Sequence, residues 1–129
     1  MATLQTSEFE KALKSLEYAY SQTLNHSKGS DEFKLARDAT IQRFEFCVEL
    51  SWKISAKFLG SSSTAAKPVL REMLQNKYII NIETWFQFIE ARNKSSHTYD
   101  EEIAAEVYSV VALFLPEARS LLSKLVISK

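Results

Sequence analysis
Glycine and proline are nearly missing from this chain of 129 residues, which holds two of each. Folds rich in strands and tight turns need more of both, because glycine supplies positive φ and proline pre-sets the first turn residue. A disordered linker is equally disfavoured: 46% of the residues are hydrophobic and 25% charged, a balance that supports a packed, helix-rich core. Cysteine occurs once, at Cys47, so no intrachain disulfide and no cysteine-based metal cluster can form. Cys47 reads instead as a small buried apolar side chain. Net charge is absent too, since sixteen basic and sixteen acidic residues cancel. No long-range field then draws the protein to nucleic acid or to an anionic membrane, and any contact with RNA or a nucleotide has to be local. No apolar run approaches the roughly 20 residues of a membrane span. The start, MATLQTSEFEKAL, lacks the charged opening and continuous apolar stretch of a secretory signal. Cytoplasmic residence with no membrane partner is the expectation. There is no internal repeat, and the only low-complexity tract is Ser61 to Thr64.

What the chain does have is helical periodicity. Its length suits one domain over residues 1–129, able to bury roughly two thirds of the surface its unfolded form exposes. Ser7 with Glu10 reads as a capping box, and Phe9, Leu13, Leu16, Tyr20 and Leu24 recur at helical spacing to about Asn25. His26 to Ser30 forms a polar turn in which Gly29 can take positive φ, and His26 reads as a solvated turn residue. Ser30 or Asp31 caps a second helix of roughly 40 Å that Gly60 stops. Its apolar positions, from Ile41 through Phe44, Phe46, Cys47 and Trp52 to Leu59, cover more than one stripe. Such width calls for a second copy on its outer face or for a central place in the bundle, and a homodimer is the first expectation.

Pro68 suits an early position of a short third helix with Val69, Leu70, Met73 and Leu74. Tyr78 to Ile80 is too short for a strand and reads as a buried connector. Asn81, three residues before Thr84, caps a fourth helix that presents Trp85, Ile89 and Arg92 along one line. A last long helix starts at about Tyr99 behind a Thr98/Glu101 capping box and carries Ile103, Val107, Val110, Val111 and Phe114; a kink is expected at Pro116. The fold class is all-α: an up-and-down four-helix bundle with an additional short helix.

Polar chemistry concentrates in the nine residues from Arg92 to Asp100, RNKSSHTYD. On an unbroken helix, Arg92 and His97 are rotated by roughly 140° from each other. Fraying at Ser95 and Ser96, whose hydroxyls compete for backbone partners, lets His97 swing back toward the guanidinium. A phosphate is the natural guest for guanidinium, imidazole and the free N–H groups of the next helix, and the two side chains are expected to converge on one water-accessible pocket. The plain structural reading pairs Arg92 with Glu90 or a helix-end carboxylate and leaves a helical adaptor without a ligand.

Arg92-Asn93, then His97, Thr98 and Tyr99, resembles the R-x4-H-x-Y motif of HEPN-domain proteins. The run RDATIQRFEF at residues 37 to 46 and the helix lengths resemble the branch known as nucleotidyltransferase substrate-binding proteins, over roughly Phe9 to Leu125. The resemblance implies a separately encoded minimal nucleotidyltransferase as partner, in a two-gene module of toxin-antitoxin type. It implies that Arg92, Asn93 and His97 bind a phosphate or nucleotide, and that Tyr99 can accept AMP from the partner. It also implies, as the alternative, metal-independent cleavage of RNA by Arg92 and His97. Imidazole can carry the 2′-hydroxyl or leaving-group proton while guanidinium stabilises charge on the phosphate. One histidine supplies only half of an acid and base pair, so two motifs joined in a homodimer make better chemical sense. No cofactor and no metal is called for: Glu101 and Glu102 beside His97 are expected at a helix start from its dipole alone.

Overall fold
The computed structural model describes residues 5–127, so the reading of the first four residues as a non-secretory start lies outside it. The helices are α1 (Thr6–Thr23), α2 (Asp31–Leu59), α3 (Ala66–Gln75), α4 (Ile82–Lys94) and α5 (Glu101–Ile127), with a short 3-10 turn at Ser95–His97. Four principal helices and the short α3 make the expected all-helical bundle, with no strand among the described residues. No helix in it is long and apolar enough to cross a membrane.

Local chemistry sets most of the boundaries. The Ser30 hydroxyl accepts from Phe33 N (3.1 Å), which opens α2, and Gly60 closes it at φ 64° in the left-handed region. Asn81 Oδ1 accepts from Thr84 N (3.2 Å) and opens α4. Two expected caps are corrected. Helix α1 begins one residue before Ser7, because Glu8 N and Phe9 N both reach the Gln5 carbonyl (3.1 and 3.4 Å), and no side chain caps it. Thr98 does not open α5: it sits in the right-handed helical region at φ −75°, ψ 0°, whereas a cap needs extended backbone. Asp100 takes that role, its Oδ1 accepting from Glu102 N (2.9 Å) and Ile103 N (3.3 Å).

The breadth of apolar residues on α2 has its explanation within one chain. This helix, about 43 Å long at 1.5 Å per residue, packs against every other helix. Ile41, Phe44, Cys47, Val48, Leu50, Trp52 and Ile54 are all buried, so most of the width reflects a central position; Leu35 and Phe46, 74% and 59% exposed, are the exceptions. Burial pushes the Cys47 thiol up to about 12, which keeps it in the inert, protonated form. Leu24 and Ile80 depart from expectation. Both are exposed, Leu24 beyond the end of α1 and Ile80 beside a connector of which only Ile79 is fully inside. Helix α5 continues through Pro116 to Ile127.

The element that matters most for the site is an aromatic cluster. Phe44 of α2, Trp85 and Phe88 of α4, and Phe114 of α5 meet edge to face at centroid distances of 5.1 to 5.9 Å. All four are fully buried, and such contacts contribute beyond the burial of their area. They fix the axis of α4 and so the starting point of the polar stretch that follows.

Candidate functional site
One helical turn beyond this cluster, α4 carries Arg92 out of the core. Ile89 and Ala91 are still buried there, whereas the Arg92 side chain is 31% exposed. Its partner is Glu49 of α2, with Arg92 Nε donating to Glu49 Oε1 at 2.7 Å. Glu90 is not the partner; two residues away on a helix it lies roughly 200° around the axis. The other oxygen of Glu49 meets Lys53 Nζ at 3.3 Å. One turn earlier on α2, Glu45 accepts from the buried Ser95 hydroxyl, which also faces the Arg92 carbonyl at 2.6 Å. Two carboxylates four residues apart on α2 thus grip the polar stretch at Arg92 and Ser95.

Ser95 is where the backbone changes character. The α-helix ends at Lys94, where two serines compete for backbone partners, and instead of fraying it tightens into the 3-10 turn. Past it, His97 and Tyr99 are exposed, Tyr99 to 85%. Their rings meet edge to face at 6.1 Å, and no hydrogen bond engages the imidazole among the described residues. Asn93 is exposed as well. Lys94 pairs with Glu106 of α5 at 2.7 Å, which raises its pKa.

The return into α5 is tied down from α2. Arg37, whose side chain is nearly buried, donates Nη1 and Nη2 to the two oxygens of Glu101 (2.8 and 3.3 Å) and Nε to Asp38 (3.1 Å). Hydrogen bonding to Arg37 holds the Glu101 carboxyl below the usual carboxylate range. Glu101 is therefore more than a charge suited to the helix dipole; it docks the start of α5.

Arg92 also lines an open groove of about 810 Å³ between α1 and α2. Lys11, Arg43, Glu45, Phe46 and Glu49 share its walls, and His97 does not. Within one chain the guanidinium faces this groove while the imidazole rests near Tyr99, so the expected common pocket is not formed by these two side chains alone. Among the described residues no group of three or more His, Cys, Asp or Glu is placed to hold a metal ion.

The family model for nucleotidyltransferase substrate binding protein-like chains matches residues 4–127. The chain belongs to that family. A Haemophilus influenzae protein named "probable ribonuclease HepT" is 37% identical over 93 residues, which span 66% of this chain and 64% of that protein. The chain thus matches just under two thirds of that relative's length. A Haemophilus influenzae structure described as the fold of a substrate binding domain of a nucleotidyltransferase superposes with a TM-score of 0.82 at 30% identity, covering 94% of this chain and 98% of the other. A Thermus thermophilus structure shares the fold, with a TM-score of 0.78 at 24% identity and coverage of 91% and 98%.

For this member of the nucleotidyltransferase substrate binding protein-like family, Glu45, Glu49, Lys53 and the Arg37–Glu101 tie were missed in the sequence. Glu45 and Glu49 are four apart and so share a helical face, but their partners lie 50 and 43 residues away. Arg37 carried a usable signal. Three positions before Thr40 and four before Ile41, it shares the core-facing stripe, and an arginine there needs a carboxylate.

Proposed function
We propose that the protein is the toxin or substrate-binding half of a two-gene module, acting in the cytoplasm with a small, separately encoded nucleotidyltransferase that adds AMP to Tyr99. The observation that carries this reading is Tyr99 itself, 85% exposed within the motif and two residues from His97. Family membership and the likeness to a nucleotidyltransferase's substrate binding domain support the choice of partner. In the transfer, the phenol oxygen attacks the α-phosphorus of ATP, the bond to the β-phosphate oxygen breaks, pyrophosphate leaves and the phenolic proton passes to solvent or to a base. Arg92, Asn93 and His97 are the groups suited to phosphate at this corner. Co-expression with a small nucleotidyltransferase followed by peptide mapping tests the proposal. An adenylyl group on the Tyr99 peptide is expected, and an unmodified peptide from a stably associated pair contradicts it.

A second reading is favoured by the name of the Haemophilus influenzae relative: metal-independent cleavage of RNA by Arg92 and His97. The 2′-hydroxyl attacks the neighbouring phosphorus, the 5′-oxygen leaves, and imidazole moves a proton while guanidinium stabilises the crowded phosphate. Because Arg92 and His97 face different neighbours within one chain, a homodimer that sets two motifs together is the natural way to complete the site. RNA cleavage in EDTA that is lost in His97→Ala supports this reading. Undiminished cleavage by that variant refutes it.

A further inference from the structure
We infer that Glu49 is the positioning residue of the anion site: by accepting the Nε–H of Arg92 it aims the four Nη N–H donors of the guanidinium at the phosphate. The inference rests on the second reading above, RNA cleavage with Arg92 as the phosphate-binding arginine. A guanidinium offers five N–H donors in one rigid plane. The bond to Glu49 Oε1 at 2.7 Å uses one, and among the described residues nothing else is bonded to the remaining four. Holding Nε from one side leaves the paired Nη edge, the part that matches two phosphate oxygens, directed away from the carboxylate.

Charge alone does not explain the arrangement. A carboxylate beside the phosphate-binding arginine disfavours an anion, so a site selected only for affinity would omit it. Here the cost is reduced, since Glu49 also meets Lys53 at 3.3 Å, and in the groove Glu8, Glu45 and Glu49 are matched by Lys11, Arg43 and Arg92. Nor is Glu49 needed to dock α4, whose Trp85, Phe88, Ile89 and Ala91 already lie in the core. What it adds is order in a long side chain that otherwise samples many rotamers. Glu45 reinforces this through Ser95, at the point where the backbone tightens.

A positioning role separates kcat from KM. We expect Glu49→Ala to lower kcat for single-stranded RNA by about ten- to a hundredfold, the scale of a misplacement near 1 Å, with KM unchanged or lower because a repelling charge is gone. Glu49→Gln recovers most of that loss, since its amide oxygen still accepts from Nε. Glu49→Asp keeps the charge but draws the acceptor back by one methylene, so it lowers kcat, and it decides the matter should the alanine variant fail to fold. Full kcat in Glu49→Asp, or Glu49→Gln falling as far as Glu49→Ala, overturns the inference. Arg92→Ala is the separate control. If it cleaves RNA like the native protein, the reading of Arg92 fails, whatever the Glu49 variants do.

Discussion
The two ends of the polar stretch are built differently. Arg92 and Ser95 are held by Glu49 and Glu45 of α2, on a helix whose axis the aromatic cluster has already fixed. His97 and Tyr99, a few residues later, stand exposed on the surface, their rings meeting edge to face. The difference follows from where the chain leaves the core. At Arg92 and Ser95 the stretch is tied to α2, whereas past Ser95 the side chains of His97 and Tyr99 are left exposed until Asp100 and Arg37 secure the start of α5. A fixed charge at one end and accessible groups at the other suit a motif completed by a second molecule, whether a nucleotidyltransferase or another copy of the chain.

The comparison breaks most severely if its shared support is removed. Phe88→Ala empties the aromatic cluster under α4 and should cost about 3–5 kcal/mol of stability in chemical denaturation, disturbing both ends of the stretch. Substitutions at the ends themselves should then diverge. On the RNA-cleavage reading, His97→Ala is expected to lower cleavage by roughly a hundred- to ten-thousandfold, the range for a general acid or base, while stability changes by less than about 0.5 kcal/mol, as at other exposed positions. Arg92→Ala should lower cleavage as well but also cost about 1 kcal/mol, because a half-buried pair is lost; equal stabilities for these two variants would erase the distinction between held and free ends.

Two smaller effects sharpen the account of how α5 is recaptured. Asp100→Ala removes the cap on Glu102 N and Ile103 N and should cost about 1 kcal/mol in thermal or chemical unfolding, whereas Thr98→Ala should cost less, since Thr98 is no cap. The Arg37–Glu101 tie predicts a pH effect with a definite sign. The folded Glu101 carboxyl titrates below its ordinary value of 4.5, so the tie stabilises fully above that pH and weakens as pH falls through the lower folded value. Arg37→Met, which leaves Glu101 solvated, should therefore show a shallower fall in melting temperature below about pH 4.5 than the native chain.

The periodicity of the sequence was enough for the all-helical bundle, for the caps at Ser30 and Asn81 and for the stop at Gly60, because each depends on residues within one helical turn. It was not enough for Thr98, whose spacing to Glu101 imitates a capping box while the 3-10 turn upstream holds its backbone in a helical conformation. The width of the apolar surface on α2 was legible, but not its cause: a helix wrapped by its own chain and a helix facing a partner read alike, and the exposed Leu35 and Phe46 remain in question. At the site, the residues from Arg92 to Tyr99 stood out by composition, and the two adjacent serines marked where the helix could fray, though not the 3-10 turn that forms there. The partners of Arg92 and Ser95 did not, since pairing across more than 40 residues depends on helix rotation that no local pattern encodes.

The most direct test is an intact-mass time course of the purified protein with ATP and a small nucleotidyltransferase, run on the native chain, Tyr99→Phe and Tyr108→Phe. Tyr108 serves as the control because its hydroxyl is engaged with Thr23 at 2.6 Å. A gain of one adenylyl group by the native chain and Tyr108→Phe, with none on Tyr99→Phe, is the predicted result. A gain that persists in Tyr99→Phe contradicts the account, since the accessible end of the polar stretch would then not be the acceptor.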